Sequence, residues 1–81
     1  MAEPLELRVR RVVSSVLGLP IERVTLNTSH DDVGNWDSLS IVNLMMAIEA
    51  EFEVGLSPEE AGDLLSVELI VQILQERALG D

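Results

Sequence analysis

The chain has no cysteine, no lysine and no tyrosine, and only one histidine, one tryptophan and one phenylalanine in 81 residues. Without cysteine there is no disulfide, no thiolate nucleophile and no zinc site of the common Cys/His types. One histidine cannot build a metal cage. Basic residues are also scarce: five arginines stand against 15 acids, a net charge of -10. Nucleic acid and anionic membrane surfaces recruit basic patches, so neither is an expected partner. No segment approaches the run of about 18 apolar residues that a membrane span requires. The start Met-Ala-Glu-Pro shows no positive stretch followed by an apolar run, hence no visible secretory signal. The expectation is a soluble, cytoplasmic monomer. A chain of this size holds one core, so residues 1–81 are read as a single domain. Its stability should be modest, roughly 4 to 12 kcal/mol at the usual per-residue scale.

What is present is unevenly distributed. The cations are Arg8, Arg10, Arg11, Arg23 and Arg77, so residues 24 to 76 carry eleven acids and no positive side chain. Such a stretch suits a basic partner, although an acidic surface that merely keeps the protein soluble explains the charge equally well.

Four helical patterns account for most of the chain. Val9, Val12, Val13, Val16 and Leu17 recur at helical spacing between Pro4 and Gly18, which predicts a helix over about residues 4 to 17. Leu19-Pro20 forbids its continuation. The polar stretch Thr25 to Asp37 reads as a long loop with a turn at Gly34-Asn35, while Glu22 to Leu26 has some extended character. Ile41, Leu44, Met45, Ile48 and Phe52 form the core stripe of a second helix over about 38 to 53, capped by Asp37 or Ser38 and stopped by Gly55. Ser57-Pro58-Glu59-Glu60 is a capping box with proline in the first turn, starting a short helix that ends near Gly62 to Leu64. Ser66 can cap the last helix, where Val67, Ile70, Val71, Leu74 and Ala78 repeat the apolar period until Gly80. Three long helices and one short one can bury these stripes only against each other. The predicted fold is all-α, a small four-helix bundle.

The second helix carries more apolar residues than one core face uses. With Ile41 at zero on a wheel of about 100° per residue, the core stripe lies within about 60° on either side, whereas Leu39, Val42, Met46 and Ala50 fall near 100° to 180°. Glu49 and Glu53 flank that surplus strip. It is either offered to a partner or buried on a second side of the bundle.

Individual residues that suggest chemistry have plainer competitors. Asp31, Asp32, Asn35 and Asp37 cluster like calcium ligands. Counting from Asp31, however, Val33, Trp36 and Val42 occupy positions where such a loop needs an oxygen ligand, glycine and glutamate. His30 as a base would need an orienting acid and an oxyanion hole that so small a bundle hardly supplies. Trp36 is expected to anchor its loop on the bundle rather than to stack on a ligand. Ser38, at the junction of loop and helix, either caps the helix or exposes its hydroxyl where the helix dipole favours an added phosphate.

Trp36-Asp37-Ser38-Leu39 resembles the signature of the acyl carrier and peptidyl carrier superfamily, Asp-Ser-Leu at the start of the second helix. The resemblance extends through the amphipathic first helix, Leu19-Pro20-Ile21-Glu22-Arg23-Val24, Ala47-Ile48-Glu49-Ala50-Glu51-Phe52 and the closing helix. It implies that Ser38 is the attachment point for phosphopantetheine, transferred from coenzyme A by a phosphopantetheinyl transferase with magnesium. The protein would then be a carrier and not an enzyme, holding an acyl or related group as a thioester between pathway enzymes. Carriers of this family present the second helix to partners, and Asp37, Leu39, Val42, Met46, Glu49 and Glu53 are the implied contacts, meeting basic side chains and apolar pockets on acyl- or aminoacyl-loading and acyltransfer enzymes. Fatty-acid-type carriers usually have glycine two residues before Asp-Ser-Leu and acids soon after it. Here Trp36 and the uncharged Ser40-Ile41-Val42-Asn43 look more like carriers of polyketide or nonribosomal peptide pathways. The competing expectation is an interaction module in which Ser38 is only a cap.

Overall fold

Pro4, fixed at φ -55°, opens the first helix, α1 (Leu5–Leu17), and its carbonyl accepts the Arg8 amide at 3.2 Å. Gly18 ends it in the left-handed region at φ 69°, where glycine meets no Cβ penalty, and the chain turns back so that the Leu19 amide reaches the Ser14 carbonyl at 3.1 Å. These coordinates come from a computed structural model that describes residues 3–29, 31, 33, 34 and 36–80, with side chains to 77. His30, Asp32, Asn35 and the Ala78 side chain, to which the sequence attaches expectations, lie outside the described residues.

After α1 the extended character expected at Glu22 to Leu26 is largely replaced by a single 3-10 turn, Ile21–Arg23. Pro20 accounts for the difference: its fixed φ of -59° and its carbonyl, which accepts the Arg23 amide at 3.0 Å, start a tight turn, after which Val24 is extended. Arg10 of α1 donates its guanidinium to the carbonyls of Val24 and Ile21, which ties this turn to the helix.

Among the described residues, Thr28 and Trp36 fasten the long loop to the bundle. Thr28 is buried, and its carbonyl accepts the Val67 amide at 3.0 Å beside an isolated antiparallel bridge between Ser29 and Ser66. Trp36 is also buried, with its indole N–H donating to the Leu64 carbonyl at 2.9 Å. Tryptophan is thus the anchor that the sequence suggests, an apolar body with its one polar atom satisfied.

The second helix, α2 (Ser38–Phe52), stops at Glu53, two residues before the glycine expected to stop it. Glu53 itself takes the left-handed conformation at φ 54°. The third helix, α3 (Pro58–Gly62), has the full capping box: Ser57 Oγ accepts the Glu60 amide at 3.1 Å, and the Glu60 carboxylate accepts the Ser57 amide at 3.0 Å. In the last helix, α4 (Val67–Gly80), Ser66 Oγ accepts the Leu69 amide at 3.1 Å.

Packing follows the apolar periods. Helix α1 lies against α2 and α4, and α3 rests on α2. Val9, Val13 and Leu17 of α1, Leu44 and Ile48 of α2, and Val67, Ile70, Val71 and Leu74 of α4 form the core with Val24, Trp36 and Leu64. Ile41, Met45 and Phe52 complete the inward stripe of α2 from its half-buried margins. The all-α bundle of three long helices and one short helix is therefore the observed architecture.

Candidate functional site

Residues of opposite character set the junction at the start of α2. Trp36 is sealed into the core, while Asp37, Ser38 and Leu39 are all exposed. The backbone is held on both sides: the Trp36 amide donates to the Val33 carbonyl at 3.2 Å, and the Asp37 carbonyl accepts the Ile41 amide at 2.9 Å. An anchored loop thus leads directly into an exposed first turn.

The cap of α2 is Asp37, whose Oδ1 accepts the Ser40 amide at 3.0 Å from an extended backbone at φ -109°. That assignment overturns Ser38 as the capping residue. The physical reason is position: Ser38 is already inside the first turn, so its side chain cannot turn back over the amides that Asp37 covers. Its hydroxyl stands exposed at the positive end of a helix of 15 residues. The Ser40 amide, with the Ser40 hydroxyl as a lesser contributor, holds the Asp37 carboxyl below its ordinary value, so Asp37 is a fixed negative charge beside that hydroxyl.

The outward face of α2 is as apolar as expected and is uncovered. Leu39 is 70% exposed, Met46 53% and Val42 47%, and Ala50 and Glu53 are exposed as well. The alternative in which the bundle buries both sides of α2 is thereby excluded. Glu49 departs from its expected place. It is half-buried, and its Oε2 accepts the Leu56 amide at 2.9 Å, so its carboxylate fastens the α2 to α3 connection instead of standing free at the edge of the strip. No local motif announces that bond, because its partner is a backbone amide seven residues on.

Other acids are also engaged. Glu51 pairs with Arg8 at 3.1 Å, and the same guanidinium lies 4.4 Å from the centre of the Phe52 ring. Glu60 pairs with Arg77 of α4. The free negative edge of α2 is consequently Asp37 at one end and Glu53 at the other. Among the described residues no group of three His, Asp or Glu side chains is placed to hold a metal ion, and no helix is long and apolar enough to cross a membrane.

A hydroxyl that is exposed, relieved of capping and set at a helix N-terminus is chemically suited to carry a phosphodiester. The surroundings leave room for a long substituent, since both neighbours in sequence point to solvent.

Comparison with known proteins gives a consistent result. A family model described as "Phosphopantetheine attachment site" matches residues 7–74. An acyl carrier protein of Buchnera aphidicola subsp. Schizaphis graminum is 33% identical over 73 residues, covering 90% of this chain and 92% of its own length. An acyl carrier protein of Buchnera aphidicola subsp. Baizongia pistaciae is 35% identical over 72 residues, covering 89% of this chain and 92% of its own length.

Proposed function

The chain belongs to the phosphopantetheine-attachment family, and from that premise we propose that it is an acyl carrier whose prosthetic arm is attached at Ser38. The observation that carries the assignment is the exposed Ser38 hydroxyl in the first turn of α2, with Asp37 doing the capping. When attached, phosphopantetheine supplies a terminal thiol, absent from this cysteine-free chain, on which an acyl group is held as a thioester. Ser38 contributes only the linking oxygen. Its Oγ forms the new bond to phosphorus, the anhydride bond of coenzyme A breaks with departure of adenosine 3′,5′-bisphosphate, and the hydroxyl proton leaves to a base of the transferase. The charge gained sits at the positive end of α2, where the dipole favours it by about 0.3 to 1 kcal/mol, reduced by repulsion from Asp37.

The protein therefore carries and does not catalyse. One carrier domain over residues 1–81, working in the cytoplasm, would present the outer face of α2 to a phosphopantetheinyl transferase and to acyl-handling enzymes. Leu39, Val42 and Met46 fit apolar pockets on such partners, and Asp37 and Glu53 fit basic side chains at either end. Glu49 contributes by holding the end of that face in shape. We place the protein in polyketide or nonribosomal-type pathways because Trp36 precedes Asp37 and Ser40 to Asn43 are uncharged. Turnover with purified synthase components of each pathway class checks that placement: preference for fatty acid synthase enzymes would refute it.

The attachment itself is tested by mass. Apo protein incubated with coenzyme A, magnesium and a broad-specificity transferase should gain one phosphopantetheinyl group, and Ser38→Ala, folded equally well, should gain none. A folded wild-type chain that gains nothing, or a mutant that still gains the group, would refute Ser38 as the site.

A further inference from the structure

Ahead of Asp-Ser-Leu the long loop borders a cleft of about 380 Å³ that the core does not fill. Its walls include Leu19, Arg23, Asn27, Thr28, Val33 and Gly34, with Thr25 beside them, and its size falls within the range of small-molecule sites. Two of these side chains are exposed and unengaged. The other four arginines are committed: Arg8 to Glu51, Arg10 to the carbonyls of Ile21 and Val24, Arg11 to Glu3, and Arg77 to Glu60. Arg23 makes no ion pair among the described residues, and the Asn27 carboxamide makes no hydrogen bond among them. By contrast, Thr25 and Thr28 are spent on the loop itself, since Thr28 Oγ1 accepts the Thr25 amide at 2.9 Å and donates to the Arg23 carbonyl at 3.2 Å. The wall is thus stiffened by threonines while one guanidinium and one carboxamide face outward from it.

The cleft lies within reach of Ser38. Ser38 lies four residues after Gly34, at most about 14 Å of extended chain. The Trp36 to Val33 hydrogen bond folds that path and brings the ends closer. A phosphopantetheine arm extends about 18 Å from its serine oxygen at ordinary bond lengths. In order along the arm come a phosphodiester, a carbon bearing two methyls, a hydroxyl, two amides and the thiol. The cleft offers a matching set: a guanidinium for amide carbonyl oxygens, the half-buried Leu19 and Val33 as an apolar floor for the two methyls, and a carboxamide able to donate to one amide and accept from another.

We propose that the cleft formed by Leu19, Arg23, Asn27, Val33 and Gly34 is a resting site for the polar part of the prosthetic arm, with Arg23 donating to the carbonyl oxygens of the arm and Asn27 pairing with its amides. The inference rests on attachment at Ser38. It locates the arm of the idle carrier along the loop, away from the outer face of α2, which stays clear for partners.

The test begins with intact mass, so that failure of Ser38 to load, which would overturn the attachment and this site together, is seen first. Loaded and unloaded protein are then compared by two-dimensional NMR with isotope-labelled pantetheine. Amide shifts should change at Leu19, Thr25, Asn27 and Gly34, and the arm methyls should show cross-peaks to Leu19 and Val33. In Arg23→Ala and, separately, Asn27→Ala, loading by mass should be unchanged, while the cleft shifts fall about fivefold for the arginine variant, as expected when a charge-assisted hydrogen bond is removed from a half-populated state. Arg23→Lys should retain part of them. Shifts confined to residues next to Ser38, shifts on the α2 to α3 connection, or cleft shifts indifferent to both alanine variants would each overturn the site while leaving the attachment intact.

Discussion

The two faces of α2 have similar chemistry and opposite fates. Leu44 and Ile48 are fully buried, whereas Leu39, Val42 and Met46 on the same helix stand 47% to 70% exposed. Hydrophobicity alone does not explain the difference, since leucine and methionine bury as readily as isoleucine. What differs is the available neighbours. Helices α1 and α3 pack against α2, its inner residues share the core with those of α4, and the outer face is left uncovered. An apolar strip kept in water beside an exposed serine is the arrangement expected of a surface used in turn by several partners, which must bind and let go.

Equal substitutions on the two faces should separate these roles. Leu44→Ala leaves a cavity in the core and should cost about 2 to 5 kcal/mol, a large part of the whole stability of so small a domain, read from denaturant unfolding. Met46→Ala should change stability by no more than about 0.5 kcal/mol yet slow reactions with partner enzymes, through a raised KM for the carrier. Equal losses of stability at both positions would show that the outer strip is structural after all. Trp36→Phe lies between them. It keeps the ring but strands the Leu64 carbonyl, and should cost about 1 to 3 kcal/mol with the loss concentrated in loop protection by hydrogen exchange.

The inner face was readable in the sequence because its cause is local. Ile41, Leu44, Met45, Ile48 and Phe52 repeat with the helix period, and Ser57-Pro58-Glu59-Glu60 encodes its cap within four residues. The surplus strip was readable for the same reason, as what remains once the core stripe is removed. Bonds across the chain were not. Nothing near Glu49 foretells that it receives the Leu56 amide, and Arg8 with Glu51 or Arg77 with Glu60 are joined only when the helices pack. The end of α2 falls within a residue of the expected 53, but the left-handed turn there is made by Glu53 and not by Gly55, whose propensity is better. The choice between Asp37 and Ser38 as cap also turned on a single residue of register, which propensity does not resolve.

A pH titration probes the attachment of α3, which is much less deeply embedded than α2. Arg77 first, and then the Ser57 amide, lower the pKa of Glu60 below its ordinary 4.5. A carboxyl lowered on folding contributes stability that is present above the unfolded value and is lost as pH falls through the folded value. Wild type should therefore exceed Glu60→Gln in stability at neutral pH, and the two should converge as the pH drops below about 4.5. A gap that persists in acid would mean that packing, and not the charge of Glu60, holds α3 in place.

The smallest effect is expected where α2 ends. Glu53 holds φ at 54°, a conformation that costs a side-chain-bearing residue about 1 kcal/mol and that asparagine tolerates better. Its negative charge also lies at the C-terminal end of the helix, where the dipole disfavours an anion. Glu53→Asn relieves both and should raise stability by about 0.5 kcal/mol, measured as a higher midpoint in urea. If the same variant reacts more slowly with partner enzymes while loading at Ser38 is unchanged, the strained glutamate is kept at the edge of the outer face for the charge it presents. If partner reactions are untouched, the acidic boundary of that face shrinks to Asp37, and recognition rests on the apolar strip.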